Sequence, residues 1–299
     1  MEVITAIEEP KAISLREKLF AYLELTKPRI AFMLVLTSAA GFYLGAAKGF
    51  DVILFVNSMI GIALLAFGVA TLNQVWERKT DALMERTAKR PLPTQKLSTT
   101  EALAFGVSLC LVAEIYLFFL VNGLTAILGL VVIVGYVLLY TPLKTRTSAS
   151  TAIGAIPGAM PPLMGWTASA NEISLGAWAL FAMLFLWQFP HFLAIAWMYK
   201  EQYAKAGILM LPVIEPEGKI TARQIVIFTV ILLPVSLAPF FLGFAGLIYL
   251  VGASLLGLWF LAVSIKTARE KTVEQARKLL LVSVLYLPLI FALMVFNHK

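Results

Sequence analysis

The chain has 299 residues, of which 60% are hydrophobic and only 14% charged, with a formal net charge of +7. A mean hydropathy of +0.88 comes from repeated apolar stretches near the ~20 residues a helix needs to cross a bilayer, which excludes a soluble globular domain. The basic residues are scattered over short loops and form no folded basic face, so nucleic acid is excluded as a partner and the lipid bilayer is the expected surrounding.

An all-α membrane protein of nine transmembrane helices is predicted. The spans fall, in chain order, at about 29 to 47, 52 to 73, 101 to 121, 124 to 141, 149 to 168, 174 to 198, 222 to 243, 246 to 265 and 278 to 297. Residues 1–24 read as a cytoplasmic N-terminal arm and residues 25–299 as a single membrane domain. The arm carries Glu2, Glu8, Glu9, Glu17 and Glu24, which is too acidic for a mitochondrial transit peptide, and a prokaryotic plasma membrane is expected. Thr26 reads as the N-cap of the first span, with Pro28 in its first turn. Ser98-Thr-Thr-Glu101 is a capping-box pattern and places a helix start near residue 99. Connections as short as Val121-Asn122-Gly123 make neighbouring spans antiparallel hairpins. Pro157, Pro161, Pro162, Pro190, Pro234, Pro239 and Pro288 are expected to interrupt spans five, six, seven and nine. The two longest inward loops follow spans two and six, four spans apart, a spacing that suggests a parallel internal repeat.

Basic residues are retained on the cytoplasmic side of a membrane, and here all of the 24 Lys and Arg except Lys48 and Lys299 fall in the N-terminal arm or in the loops after spans two, four, six and eight. The N-terminus is therefore expected inside and the C-terminus outside. The single cysteine, Cys110, lies mid-span and forms no internal disulfide.

A dense polar segment, Asn73 to Pro93, emerges from span two. Asn73, Glu77 and Asp81 are spaced i, i+4, i+8, so on a continued helix they drift only about 40° per step and form one stripe of oxygen ligands. Hard oxygens of this kind suit Mg²⁺ shared with a substrate phosphate, which Arg78, Arg86, Lys89 and Arg90 are close enough in sequence to hold. Asp81 is one of only two Asp in the chain. The bland alternative is an ordinary solvated helix end, but a carboxamide at the end of an apolar span is costly unless satisfied.

The run Asn73-Gln-x-x-Glu77-x-x-x-Asp81-x-x-Met84-x-Arg86-Thr87-x-x-Arg90-Pro91-Leu92-Pro93 resembles the signature of the protohaem IX farnesyltransferases, a family within the UbiA-type intramembrane prenyltransferases. Leu25-Thr-Lys-Pro-Arg29, Tyr140-Thr-Pro-Leu-Lys144, Gly158-Ala-Met-Pro-Pro-Leu-Met-Gly-Trp166, Trp187-Gln-Phe-Pro-His-Phe192 and Tyr203-Ala-Lys-Ala-Gly207 are similar to that family too. The resemblance covers about residues 22 to 296. It implies a UbiA-type bundle with a central cavity and a cytoplasmic active site, with farnesyl diphosphate and protohaem IX as substrates and haem O as product. Asn73, Glu77 and Asp81 would hold Mg²⁺, and the product would pass to a haem A synthase or terminal oxidase assembly. The superfamily's second acidic motif maps to Tyr199-Lys-Glu-Gln-Tyr203, where Glu201 is the one carboxylate and would be the fourth metal ligand. Lys200 and Lys205 would supply phosphate charge there, or serve only as topology anchors.

His191 is the one histidine inside a span, and it reads either as a hydrogen-bonded core residue or as an axial contact to haem iron. Lys27 and Arg29 read as interface anchors or as partners of the haem propionates or the diphosphate. Glu114, an ionisable group within span three, reads as a functional group or as a protonated core residue. Two rivals are weaker. Asn73-Gln74, where many quinone enzymes have Asn-Asp, argues against an aromatic or quinone-precursor acceptor. A secondary transporter fits poorly with a stripe at a span's end rather than its middle.

Overall fold

The computed structural model describes residues 14–46 and 49–299, whose regular elements are all helices, with one isolated bridge between Ala245 and His298 besides. Lys11, Lys48, Glu2, Glu8 and Glu9, used above for topology and targeting, lie outside the described residues. The chain begins with α1 (Leu15–Leu25), started by a capping box in which Ser14 and Glu17 satisfy each other's backbone N–H groups. Lys18 of α1 pairs with Glu101, which ties the helix to the fourth one. Thr26 then ends α1, its hydroxyl donating to the Leu23 carbonyl, and Lys27 stands at the N-cap of α2 (Pro28–Gly45) with φ 49°. The expected Thr26 cap is thus displaced by one residue. Because a helix runs up to Thr26, the chain needs a left-handed residue after it to turn into α2.

Asp51 caps α3 (Val52–Asp81) by accepting from the N–H groups of Ile53 and Leu54. At 30 residues this helix is about 45 Å long, beyond the ~30 Å hydrocarbon core. It therefore carries Asn73, Glu77 and Asp81 on one continuous helix past the end of its apolar run. The Ser98–Glu101 capping box starts α4 (Thr99–Leu120) as the pattern predicts. Asn122 caps α5 (Gly123–Ile133), which passes into a π-helical stretch, Val134–Tyr140, and one further turn, α6 (Thr141–Leu143).

Pro157, Pro161 and Pro162 do break span five, giving α7 (Ser150–Gly158) and α8 (Met160–Ala170). The other expected breaks do not occur. The helix α9 (Leu175–Met198) runs through Pro190 and is followed by the short α10 (Lys200–Lys205) and α11 (Leu211–Ile214). The helix α12 (Lys219–Phe241) runs through Pro234 and Pro239, α13 (Leu247–Glu270) contains none, and α14 (Val273–Phe296) runs through Pro288. Apolar helices packed against neighbours tolerate an isolated proline by local adjustment. Three prolines within six residues in span five exceed that tolerance.

Among the described residues, eight helical segments are long and apolar enough to cross a membrane. The α7–α8 pair, too short in each half, runs end to end through the same bundle. Thr151 of α7 touches Met210, beside the long loops, while Thr167 of α8 accepts from Asn122 at the opposite end. The helices α2 and α8 pack backbone to backbone, since a Cβ on Gly165 would run into the Ser38 carbonyl and one on Gly41 into that of Pro162.

One large apolar core fills the bundle. Two small satellites lie at the end that carries the stripe. One joins Ala21 and Leu25 of α1 to Val75, Leu92, Leu97 and Ala102. The other joins Met84 to Ala196, Ala206, Ile208 and Met210. Between them they hold the 82–98 loop in place over the end of α3.

Candidate active site at the basic end of the bundle

Asn73, Glu77 and Asp81 all lie on α3, and each of the three side chains meets a cation from elsewhere. Asn73 and Asp81 are each 1% exposed. The Lys27 ammonium donates to Asn73 Oδ1 at 2.8 Å, and the Asn73 amide donates to Thr141 Oγ1 at 3.1 Å. Lys144 donates to Glu77 Oε1 at 2.5 Å and lies over the Tyr140 ring at 4.4 Å. Arg90 donates to Asp81 Oδ2 at 2.7 Å.

Local backbone features place these cations. The left-handed residue before α2 aims Lys27 inward. Strain of this kind on a non-glycine residue costs about 1–3 kcal/mol and tends to occur at functional sites. Arg90 lies nine residues beyond Asp81 in sequence but returns to it. The 82–98 loop folds as a string of turns, with Thr87 donating to the Asp81 carbonyl at 2.8 Å and Arg90 N donating to Thr87 at 3.0 Å. Lys144 and Thr141 follow the π-helical stretch, where an added residue per turn re-aims what comes next. The Thr141 hydroxyl donates to the Tyr136 carbonyl at 2.7 Å, the same carbonyl that accepts its backbone N–H.

The electrostatics fit a site made to hold charge. Burial and the neighbouring Arg90 and Lys144 push the Lys27 amine down to about 8, against the pull of Glu77. Burial also disfavours the Lys144 ammonium, but the Glu77 carboxylate beside it prevails and holds it well above the ordinary lysine value. Asp81 Oδ1 is buried and has no hydrogen-bond partner among the described residues. An orphaned carboxylate oxygen on the same helix as two more hard oxygen donors, at i−8 and i−4, is a donor set that fits Mg²⁺. No group of three or more His, Cys, Asp or Glu stands ready to hold a metal among the described residues, so the carboxamide of Asn73 is needed to complete a three-residue set.

The remaining sequence-predicted residues are distributed less tightly. Arg78 turns back to the Val75 carbonyl of its own helix at 2.8 Å. Arg86 lies over the Tyr199 and Tyr203 rings at 5.0 and 5.7 Å and donates to the Tyr203 hydroxyl, joining the two long loops. Lys89, Glu201 and Lys205 are exposed, and Lys200 lies over the Trp197 ring at 5.1 Å. Lys27 and Arg29 both line a cleft of about 480 Å³ with Phe20, Leu23 and Ile30, but Lys27 reaches inward to Asn73 while Arg29 is exposed. His191 lies on α9, where its ring stacks on Trp187 and its Nδ1 is 2.8 Å from Ser283 Oγ of α14. Glu114 packs against Gly129 with both carboxyl oxygens buried and unpartnered, away from the stripe.

Sequence reasoning left out two members of the cluster, Thr141 and Lys144. Both lie within the Tyr140 to Lys144 stretch that carried part of the resemblance. A lysine just past an apolar run reads as a topology anchor, and only the contact with α3 shows otherwise.

A bundle of long apolar helices with a buried oxygen-and-cation cluster at its basic end defines a multi-pass membrane protein with a polar site at the mouth of an apolar core. Residues 34–294 match the UbiA prenyltransferase family. The protoheme IX farnesyltransferase of Solibacter usitatus is 50% identical over 286 residues, covering 93% of this chain and 98% of that protein. That of Salinibacter ruber is 45% identical over 276 residues, covering 92% and 98%. Among solved structures, a UbiA homolog from Archaeoglobus fulgidus bound to GPP and Mg²⁺ aligns with a TM-score of 0.67 at 18% identity, covering 92% of this chain and 99% of that one. A structure described as digeranylgeranylglyceryl phosphate synthase aligns at 0.80 and 18% identity, covering 94% and 98%. The chain belongs to the UbiA prenyltransferase family.

Proposed function

We propose that this protein transfers the farnesyl group of farnesyl diphosphate to the 2-vinyl group of protohaem IX, yielding haem O and diphosphate. The observation that carries the reading is the cluster at the end of α3, where three oxygen ligands and three cations meet at the mouth of an apolar bundle. The high identity to protoheme IX farnesyltransferases supports the choice of acceptor.

In the reaction the allylic C1–O bond breaks and its electron pair leaves with the diphosphate. The vinyl π electrons then form the new bond to C1, and water takes the resulting cation, giving up one proton to solvent. Lys27, Lys144 and Arg90 are poised for this, because the partners they now hold are the oxygens that a metal would take. With those oxygens taken up by a metal, the three cations would be free to face the diphosphate and neutralise the charge that grows on it. Mg²⁺, when bound by Asn73, Glu77 and Asp81, supplies Lewis-acid stabilisation of the leaving group. Arg86, Lys89, Lys200 and Lys205, on the two loops over the site, give an outer ring of positive charge. Arg78 is left to backbone capping, and Glu201, exposed on α10, is the residue left for a second ion. The farnesyl chain is assigned to a cavity within the bundle, which keeps the carbocation dry while the diphosphate stays at the wet end. Haem is assigned to His191 for its iron and to Arg29 for a propionate, with Lys27 now grouped with the diphosphate.

The same reading takes α7 and α8 as one broken ninth span of a single membrane domain over residues 25–299, preceded by the 1–24 arm. It puts the N-terminus and the site on the cytoplasmic side of a prokaryotic plasma membrane and the C-terminus outside. The product would be consumed by a haem A synthase or in terminal oxidase assembly. Membranes holding the protein, supplied with haem, farnesyl diphosphate and Mg²⁺, are expected to give haem with the added mass of farnesyl plus a hydroxyl group by mass spectrometry. Prenylation of a hydroxybenzoate or naphthoate acceptor with haem left unmodified would overturn the assignment.

A further inference from the structure

The hydrogen bonds around His191 leave one of its ring nitrogens without a role in packing. Ser283 of α14 donates its single hydroxyl proton to the Leu280 carbonyl at 2.7 Å. Its Oγ, 2.8 Å from His191 Nδ1, can therefore only accept, so Nδ1 must carry the imidazole proton. Nε2 is then the lone-pair nitrogen, and it has no hydrogen-bond partner among the described residues. The ring plane is fixed independently. The Trp187 indole stacks on the imidazole at 4.5 Å and 22°, and its Nε1 donates to the backbone carbonyl of the same Ser283 at 2.8 Å. One fully buried residue thus anchors both rings, through its side chain and its main chain.

A histidine that only fills a core uses both nitrogens or leaves one against apolar surface at a cost. An imidazole that donates through one nitrogen to a fixed acceptor, with the other bare, has the arrangement that metal-ligating histidines show, in which the outer partner sets tautomer and ring orientation. We infer that Ser283 is a positioning residue that holds His191 as its Nδ1–H tautomer and so presents Nε2 to the iron of the haem substrate. This rests on the reading of His191 as the haem ligand. It adds that the haem site lies where α9 meets α14 and that the hydroxyl of Ser283, through its Leu280 acceptor, sets the ligand's protonation.

The chain has only two histidines, which makes the tautomer directly measurable. Protein labelled with ¹⁵N-histidine, with the second signal assigned through His298→Gln, is expected to show His191 protonated at Nδ1 and bare at Nε2. Ser283→Ala should mix the tautomers and Ser283→Thr should restore the original one. A wild-type ring protonated at Nε2, or a Ser283→Ala spectrum unchanged from wild type, would overturn the inference whatever haem does. In a second arm, haem is titrated into the same proteins and followed by its Soret band, with farnesyl diphosphate affinity measured in parallel. His191→Ala should shift the band and weaken haem binding. Ser283→Ala should weaken it about 10-fold or more, the usual effect of removing such a partner, and leave farnesyl diphosphate affinity as it was. If His191→Ala binds haem with an unaltered band, the reading of His191 fails and the inference with it. If His191→Ala has its effect while Ser283→Ala binds haem as wild type does, the role of Ser283 alone is lost.

Discussion

The three side chains of the stripe each meet a cation from a separate place in the chain, and the cost of removing any one follows from what it leaves behind. Asp81 contributes one oxygen to Arg90 and another that has no partner. Asp81→Asn keeps the size and the helix but takes away the charge that would hold Mg²⁺. It is expected to lower turnover by about two orders of magnitude or more with the thermal midpoint little changed, and near-normal activity at saturating Mg²⁺ would remove Asp81 from the site. Lys144→Met acts differently, since it strands the Glu77 carboxylate in a mostly buried position. Breaking such a pair costs about 3–5 kcal/mol, while replacing both partners can be neutral. Glu77→Gln combined with Lys144→Met should therefore recover the melting temperature lost in Lys144→Met without recovering turnover, and a melt of the two proteins beside a turnover assay checks both halves. The stripe itself was legible in the sequence, because i, i+4, i+8 spacing needs nothing beyond a helix. Its counter-ions were legible only in part. Arg90 was near enough in sequence to be suspected, but Lys27 and Lys144 reach the stripe through tertiary packing that no local pattern encodes.

Helix starts and hairpins were the legible part at the scale of elements, since the Ser98 capping box and the short polar breaks are local chemistry. The π-helical stretch was not, because Val134–Tyr140 reads as an ordinary apolar run and its register is set by Thr141 meeting both the Tyr136 carbonyl and Asn73. Prolines misled for a related reason. Their effect depends on whether neighbours can re-satisfy the freed carbonyls, so a lone proline leaves α9 unbroken while a cluster parts α7 from α8. The α2–α8 contact shows how tightly that broken segment is held. With no hydrophobic drive between helices in lipid, close backbone approach supplies the packing. Gly165→Ala would push a methyl group into the Ser38 carbonyl, within 2.9 Å of the Phe42 amide nitrogen. Both helices are packed on their other sides and cannot part freely, so a loss of roughly 1–3 kcal/mol is expected, the usual cost of overpacking. Equal melting temperatures for the variant and the parent in the same detergent would show that the contact is looser than it looks.

The whole molecule separates charge by end. Lys27, the α3 stripe, Lys144, Arg86, Lys200 and the Lys271 that reaches the Glu217 carbonyl gather at one end through mutual contacts of their loops. The other end brings together Tyr43, Asn122, Thr167, Phe244 and His298. Among the described residues, Lys299 is the one basic side chain at that second end. In the proposed orientation the basic loops, and with them the first end, face the cytoplasm, and the α7–α8 pair must then cross for the 171–174 connection to lie outside. If that pair dipped in and returned, the connection and every span after it would be reversed. Two single cysteines in a Cys110→Ala background distinguish these cases, one replacing exposed Lys89 and one replacing exposed Glu172. On intact cells a membrane-impermeant maleimide is expected to label the position-172 cysteine at once and the position-89 cysteine only after permeabilisation. Protection of both would make α7–α8 a re-entrant pair. Labelling at 89 alone would invert the molecule and put the site on the outer face, against the charge rule that every basic loop here obeys.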